Sequence, residues 1–201
     1  PLLLDRVLAV YGDRLTVERG AVKASCLEFF GGRLRFMLEK RGFRYDLVGA
    51  ALGPGVDQVY DALPRVEALD TLKSSPQFEP FILMAKRINN IIKGLPAAKV
   101  NPDIFVEKEE RDLYSTFSII RDNAQPMIVR GDYVRAQGIY FKIQPVLNTF
   151  FDKVLVMAEE KKVRQNRLGL LQSINKMLLG ISDYSQVVVE GDKPAKTKAS
   201  R

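Results

Sequence analysis

Cationic side chains set beside aromatic and amide side chains are the most distinctive chemistry in this sequence. Between Arg33 and Arg44, five basic residues (Arg33, Arg35, Lys40, Arg41 and Arg44) stand against the single acid Glu39, and Phe43 and Tyr45 flank Arg44. Between Lys86 and Lys99 there are four basic residues and no acid. An unstacked single strand of nucleic acid needs cations for its phosphates and a ring on which a base can stack. Asn89 and Asn90 add amides that offer donor and acceptor together to a base edge. A solvated basic face, or a helical module docking an acidic protein, fits these residues as well, and their types and spacing alone leave the three readings open.

Other chemistry is excluded or unsupported. The 201 residues contain no histidine, which removes the Ser-His-Asp triad, the Cys-His dyad and any histidine-bearing zinc site. The single cysteine, Cys26, allows neither an internal disulfide nor a four-cysteine metal site. It suits a reducing, cytoplasmic compartment and is expected as a small buried residue at a helix start. The adjacent acids Glu109-Glu110 and Glu159-Glu160 diverge by about 100° on a helix and are read as solvated faces. Gly31-Gly32 lies inside a helical pattern and not between strand and helix, so no phosphate loop is expected. No catalytic residue, metal or cofactor is expected in this chain. The balance of 31 Lys and Arg over 24 Asp and Glu leaves a net charge of +7, which favours an anionic partner. The longest uncharged run, Leu47 to Val56, is ten residues, against about 20 needed to span a bilayer, so no membrane association is expected. The chain opens on Pro1 with no signal-peptide pattern and is read as part of something longer.

The elements that must position these residues read as helices. Leu27, Phe30, Leu34 and Leu38 are spaced along one helical face that Gly42 ends. A short helix over Tyr45 to Leu52 stops at Gly53-Pro54-Gly55. A segment from about Val56 to Leu72 contains Pro64, and a proline in a helix interior costs about 3 kcal/mol. A restart capped by Asp61 would put Pro64 in the first turn, where it is tolerated. Phe78, Phe81, Ile82, Ala85, Ile88 and Ile92 form the cleanest apolar stripe, ended by Gly94 and Pro96. Further helices are expected over Glu107 to about Ile120, from Gly131-Asp132 through Phe141, from Pro145 onward, and over about Glu160 to Leu179. Val154 to Met157 reads as a short buried connection. The fold class is all-α, a compact helix bundle spanning 1–189, followed by a disordered basic tail over 190–201.

The stretch Phe150 to Ile174, FFDKVLVMAEEKKVRQNRLGLLQSI, resembles the closing segment of the helical anticodon-binding domain named after its Asp-Ala-Leu-Arg motif. The matching residues are Phe150, Phe151, Asp152, Val154, Val156, Met157, Glu159, Glu160, Arg164, Asn166, Arg167 and Leu168. Arginyl-tRNA synthetases and the β subunit of the two-subunit bacterial glycyl-tRNA synthetase share this domain. Gly42 to Leu52 (GFRYDLVGAAL), Arg65 to Leu69 and Ala85 to Lys93 (AKRINNIIK) resemble the glycyl β subunit in particular, as does the continuation through ISDYSQVVV. Pro64 and the lysine-rich tail depart from the pattern.

The resemblance implies a non-catalytic domain that binds the anticodon arm of tRNA(Gly). In that family a separate α subunit uses ATP and Mg to activate glycine. An arginyl-enzyme domain is the first alternative and a scaffold for an acidic protein the second. Lys86, Arg87 and Asn90 are the first candidates for tRNA contact, and Arg33, Arg44 and Tyr45 the second set. Asp152, Arg164 and Arg167 are expected instead to make buried or half-buried ion pairs that fix the turn before the last helix.

Overall fold

The computed structural model describes residues 2–14, 16–55 and 59–189. The expected tail over 190–201 and the start of the segment at Val56 lie outside these residues. Among the described residues there is no strand. The α-helices are α1 (Leu2–Tyr11), α2 (Arg19–Lys40), α3 (Tyr45–Leu52), α4 (Ala62–Leu72), α5 (Phe78–Ile92), α6 (Lys108–Val129), α7 (Tyr133–Tyr140), α8 (Gln144–Lys153) and α9 (Lys161–Leu179), with short 3-10 turns between several of them.

The core follows the apolar periodicity. Phe81, Ile82 and Ile88 of α5 meet Leu170, Leu171 and Ile174 of α9, and all six are fully buried. Leu113 and Phe117 of α6 pack where α7 and α8 cross it, next to Ile143, Leu147 and Phe150. The short apolar helix α3 is buried along almost its whole length against α4 and the 3-10 turn Tyr184–Gln186. That 3-10 turn brings the last described residues back to the front of the chain. The Asp183 N–H donates to the Ala50 carbonyl at 2.8 Å, and the Val188 N–H donates to the Asp46 carboxylate at 2.7 Å.

Several expected boundaries move, each for a local reason. α2 begins at Arg19, where the Glu18 carboxylate caps the Ala21 N–H, and runs unbroken through Gly31-Gly32. Cys26 therefore sits inside a helix and is only half-buried. Of the stripe Leu27, Phe30, Leu34 and Leu38, only Leu38 is buried, because α3 packs only the C-terminal part of α2 into the body; Phe29, Phe30, Phe36 and Met37 are exposed. Asp61 does precede α4, but its side chain caps no backbone N–H and faces Arg65 at 3.8 Å. α6 passes Ile120 and continues through Pro126 to Val129. Gly131, at φ +74°, then lets the Asp132 N–H bond back to the Met127 carbonyl and turns the chain into α7. In the connection Val154 to Met157, Val154 and Val156 are buried while Leu155 and Met157 project outward.

Candidate nucleic-acid interface

α5 orders its side chains by the stripe that anchors it. With Phe78, Phe81, Ile82, Ala85 and Ile88 buried, Leu83, Arg87 and Asn90 are left exposed. The Arg87 guanidinium lies 4.0 Å from the centre of the Phe151 ring, a cation–π contact that joins α5 to α8. Asn90 makes no hydrogen bond to the described residues. Lys86 differs from both. It is half-buried on the flank of α5, where burial pushes its ammonium below the usual 10.5 and the charge of Asp46 opposes that shift. Arg87 and Asn90 thus share an exposed face that Lys86 only borders.

The second candidate set lies at the α2–α3 corner. Tyr45 is exposed there, and Arg33 is exposed about two turns back along α2. Arg44 is engaged: its guanidinium grips both oxygens of the buried Asp46 carboxylate, at 3.1 and 2.7 Å, and donates to the Val188 carbonyl at 2.9 Å. It latches the last described residues to the start of α3.

The three motif residues separate. Arg167 makes a buried ion pair, but its partner is Glu110 of α6, at 3.1 Å from Nε, and no acid of the turn. It also donates to the Leu155 carbonyl at 2.8 Å. Glu110, read from sequence as part of a solvated face, is fully buried. Its carboxylate also accepts the Val106 and Glu107 N–H groups at 3.0 and 2.8 Å, so one side chain starts α6 and anchors α9. The spacing Glu107-x-x-Glu110, a capping-box pattern ahead of an apolar run, is the signal that could have shown this. Arg164 is half-buried and donates to the Ala158 carbonyl at 2.9 Å. Asp152 is exposed and makes no ion pair among the described residues, which corrects the expectation for it: α8 points it outward, on the side away from Phe150.

Sequence reasoning missed one concave feature of the described residues. After α5, Gly94 at φ +73° turns the chain into an extended strap over residues 95–101. Three positions of α9, each one turn apart, hold it. Asn166 accepts the Asn101 N–H at 2.7 Å and donates to the Asn101 carbonyl at 2.9 Å. Gln172 accepts the Ala98 N–H at 2.8 Å and donates to the Pro96 carbonyl at 2.9 Å. Between them is Gly169, where a Cβ would stand 3.1 Å from the Lys99 carbonyl group. Strap, α6 and α9 together enclose a cleft of about 950 Å³. Its floor is apolar and aromatic, with Val100, Tyr114, Phe117, Ile128 and Met177. Its charged lining is Lys99, Arg121 and Lys176, with no acid. Lys99 closes the basic run that starts at Lys86, but Arg121 and Lys176 are scattered along the chain, so a linear reading does not bring the three together.

An all-α body with exposed cations beside aromatic rings is compatible with binding a nucleic acid through phosphates and stacked bases. Residues 82–184 match the family described as the DALR anticodon binding domain, and the chain belongs to that family. It is similar to the protein named glycine–tRNA ligase beta subunit in Desulforudis audaxviator, at 39% identity over 89% of this chain and 26% of the relative. The proteins of that name in Syntrophus aciditrophicus and Trichlorobacter lovleyi are 30% and 35% identical, over 94% and 92% of this chain and 27% of each relative. The chain therefore spans about a quarter of the length of the curated relatives it matches.

Proposed function

We propose that this chain grips the anticodon arm of tRNA(Gly) as the non-catalytic domain of a two-subunit glycine–tRNA ligase. It supports glycylation in the cytoplasm, while amino-acid activation with ATP and Mg belongs to a separate α subunit. The observation that carries the reading is the family match, because residues 82–184 include most of α5, with Lys86, Arg87 and Asn90, and the strap, α6 and α9. On this reading Arg87 and Asn90 meet the RNA from the outer face of α5, with Lys86 at its edge. Arg33 on α2 and Tyr45 at the start of α3 supply a secondary contact, while Arg44 serves mainly to hold the α2–α3 corner. Among the described residues no cluster of His, Cys, Asp or Glu is arranged to hold a metal, and no helix is long and apolar enough to cross a membrane.

The test is a titration of labelled tRNA(Gly) and of non-cognate tRNA with the purified chain at several salt concentrations. The expected result is tighter binding of tRNA(Gly), with a negative dependence of log K on log salt. Removing charge at Lys86 and Arg87 weakens every tRNA alike, whereas Asn90→Ala reduces discrimination by about 1–3 kcal/mol if one base contact is lost. Equal affinity for tRNA and for an acidic polypeptide would move the chain to the scaffold reading. Glycine-dependent pyrophosphate exchange by the chain alone would defeat the non-catalytic assignment.

A further inference from the structure

The cleft beneath the strap has the features of a base pocket. Its volume of about 950 Å³ falls within the range of about 300–1,000 Å³ typical of small-ligand sites, which leaves room for one nucleotide and parts of its neighbours. The floor offers flat aromatic surfaces. Tyr114 is half-buried and packs in a tilted pair with Phe117, their ring centres 6.4 Å apart. The Arg121 guanidinium lies 5.5 Å from the Phe117 ring centre, which holds this cation beside the aromatic floor. Lys99, on the strap, and Lys176, on α9, are both exposed and make no ion pair among the described residues. Arg121 is engaged with Asp122 at 2.9 Å through a pair half-exposed to water, which yields readily to a phosphate.

The polar groups of the lining divide by use. Gln172 has both ends of its amide committed to the strap. Ser173 donates to the Gly169 carbonyl, and the Tyr140 hydroxyl to the Met177 carbonyl. Gln125, exposed on α6, makes no hydrogen bond to the described residues. Among those residues it is the one amide of the lining whose donor and acceptor are both uncommitted, and the Tyr114 hydroxyl of the same lining is likewise unbonded. An amide with donor and acceptor free above an apolar floor matches the edge of a base; a phosphate or a peptide carboxylate would use only the donor.

We propose that this cleft takes up a single unstacked base of the bound RNA, with Lys99, Arg121 and Lys176 on the flanking phosphates and Gln125 on the base edge. The inference rests on the anticodon-arm reading and adds to it a pocket between the strap, α6 and α9. Because Asn166 and Gln172 already fix the strap, binding orders little further backbone, which favours selectivity over adaptability.

The probe is an anticodon hairpin of tRNA(Gly) carrying 2-aminopurine at each loop position in turn, whose emission reports stacking. On saturation with the wild-type chain, one loop position changes its emission markedly and its neighbours change little. Tyr114→Leu and Gln125→Ala abolish that change. The double variant Lys99→Gln/Lys176→Gln, altered only at exposed positions and checked for folding by circular dichroism, binds about tenfold more weakly, and its salt slope falls by about 1.4 for two lost contacts to a single strand. If the hairpin binds normally and the double variant keeps wild-type affinity, slope and emission change, the cleft is not the pocket while the anticodon reading stands. If the hairpin does not bind the wild-type chain at all, both fail. If polyglutamate of matched charge displaces the hairpin as well as a second hairpin does, the cleft is a charge-only groove and the base assignment is overturned.

Discussion

Replacing Arg167 by methionine should unfold this domain much more easily while leaving its exposed surfaces untouched. The substitution keeps most of the apolar stem and removes three contacts: two to the Glu110 carboxylate and one to the Leu155 carbonyl. The arginine side chain is 6% exposed and the glutamate side chain 0%. The remaining carboxylate is therefore stranded in the core with only the Val106 and Glu107 N–H groups to hold it. Breaking one partner of a buried pair costs about 3–5 kcal/mol. For a domain of this size each kcal/mol moves the melting temperature by about 2–4 °C, so the midpoint should drop by roughly 6–20 °C. Thermal and urea unfolding followed by circular dichroism measure this directly. A double-mutant cycle with Glu110→Gln isolates the coupling, because the neutral amide of that variant can still accept one cap hydrogen bond without stranding a charge. An Arg167→Met protein that melts within about 2 °C of wild type, yet no longer binds tRNA, would place Arg167 in the RNA site and refute the structural assignment; the threshold is the shift expected for less than about 1 kcal/mol.

Three further outcomes follow from the same contacts. Arg164→Ala loses one half-exposed hydrogen bond to Ala158 and should cost about 1 kcal/mol, a melting shift well short of that of Arg167→Met. Gly169→Ala gains helix propensity of about 1 kcal/mol but drives a Cβ against the Lys99 carbonyl group. Overpacking of about 1–3 kcal/mol should win, and faster amide hydrogen exchange at Ala98 and Asn101 would show the strap lifting. Lys153 lies 3.0 Å from Glu109 and holds that carboxyl below its ordinary 4.5. A carboxyl with a depressed folded pKa stabilises the native state above the unfolded value and loses that contribution as pH falls through the folded one. The small melting difference between wild type and Lys153→Met should therefore be present at pH 7 and be lost as the pH falls below 4.5 and through the depressed folded value.

The helical class and most element centres were legible because apolar spacing of three and four residues is a local property. α5 and α9 appeared nearly complete for that reason. What escaped depended on distant partners. α2 has the same apolar spacing as α5, yet Phe30 is exposed because no helix of the described residues covers it. Periodicity shows which face could be buried and is silent on whether anything arrives to bury it. Glu110 was misread because its partner Arg167 lies 57 residues away. Among the candidate contacts, Arg87 and Asn90 followed from the helical geometry of α5, which a single stripe determines. Arg44 was read as a candidate RNA contact although its partner Asp46 stands two residues on; only the return of Val188, which completes the latch, is hidden from the local sequence. The cleft was invisible for the same reason: Lys99, Arg121 and Lys176 come from a strap and two helices, and only the pinning of that strap on α9 brings them around one floor.

The latch between Arg44, Asp46 and Val188 also constrains the order in which the chain can acquire its structure. Its partners are 142 to 144 residues apart, and closing a loop of that length costs about 4 kcal/mol of chain entropy beyond a constant. Contacts so distant form late, after local helices and the α5–α9 core have shortened the effective loop. During synthesis α3 leaves the ribosome well before Val188, so its Asp46 carboxylate first lacks the backbone N–H that it accepts in the fold. A ribosome that stalls between the two holds α3 with the face that meets Tyr184–Gln186 uncovered.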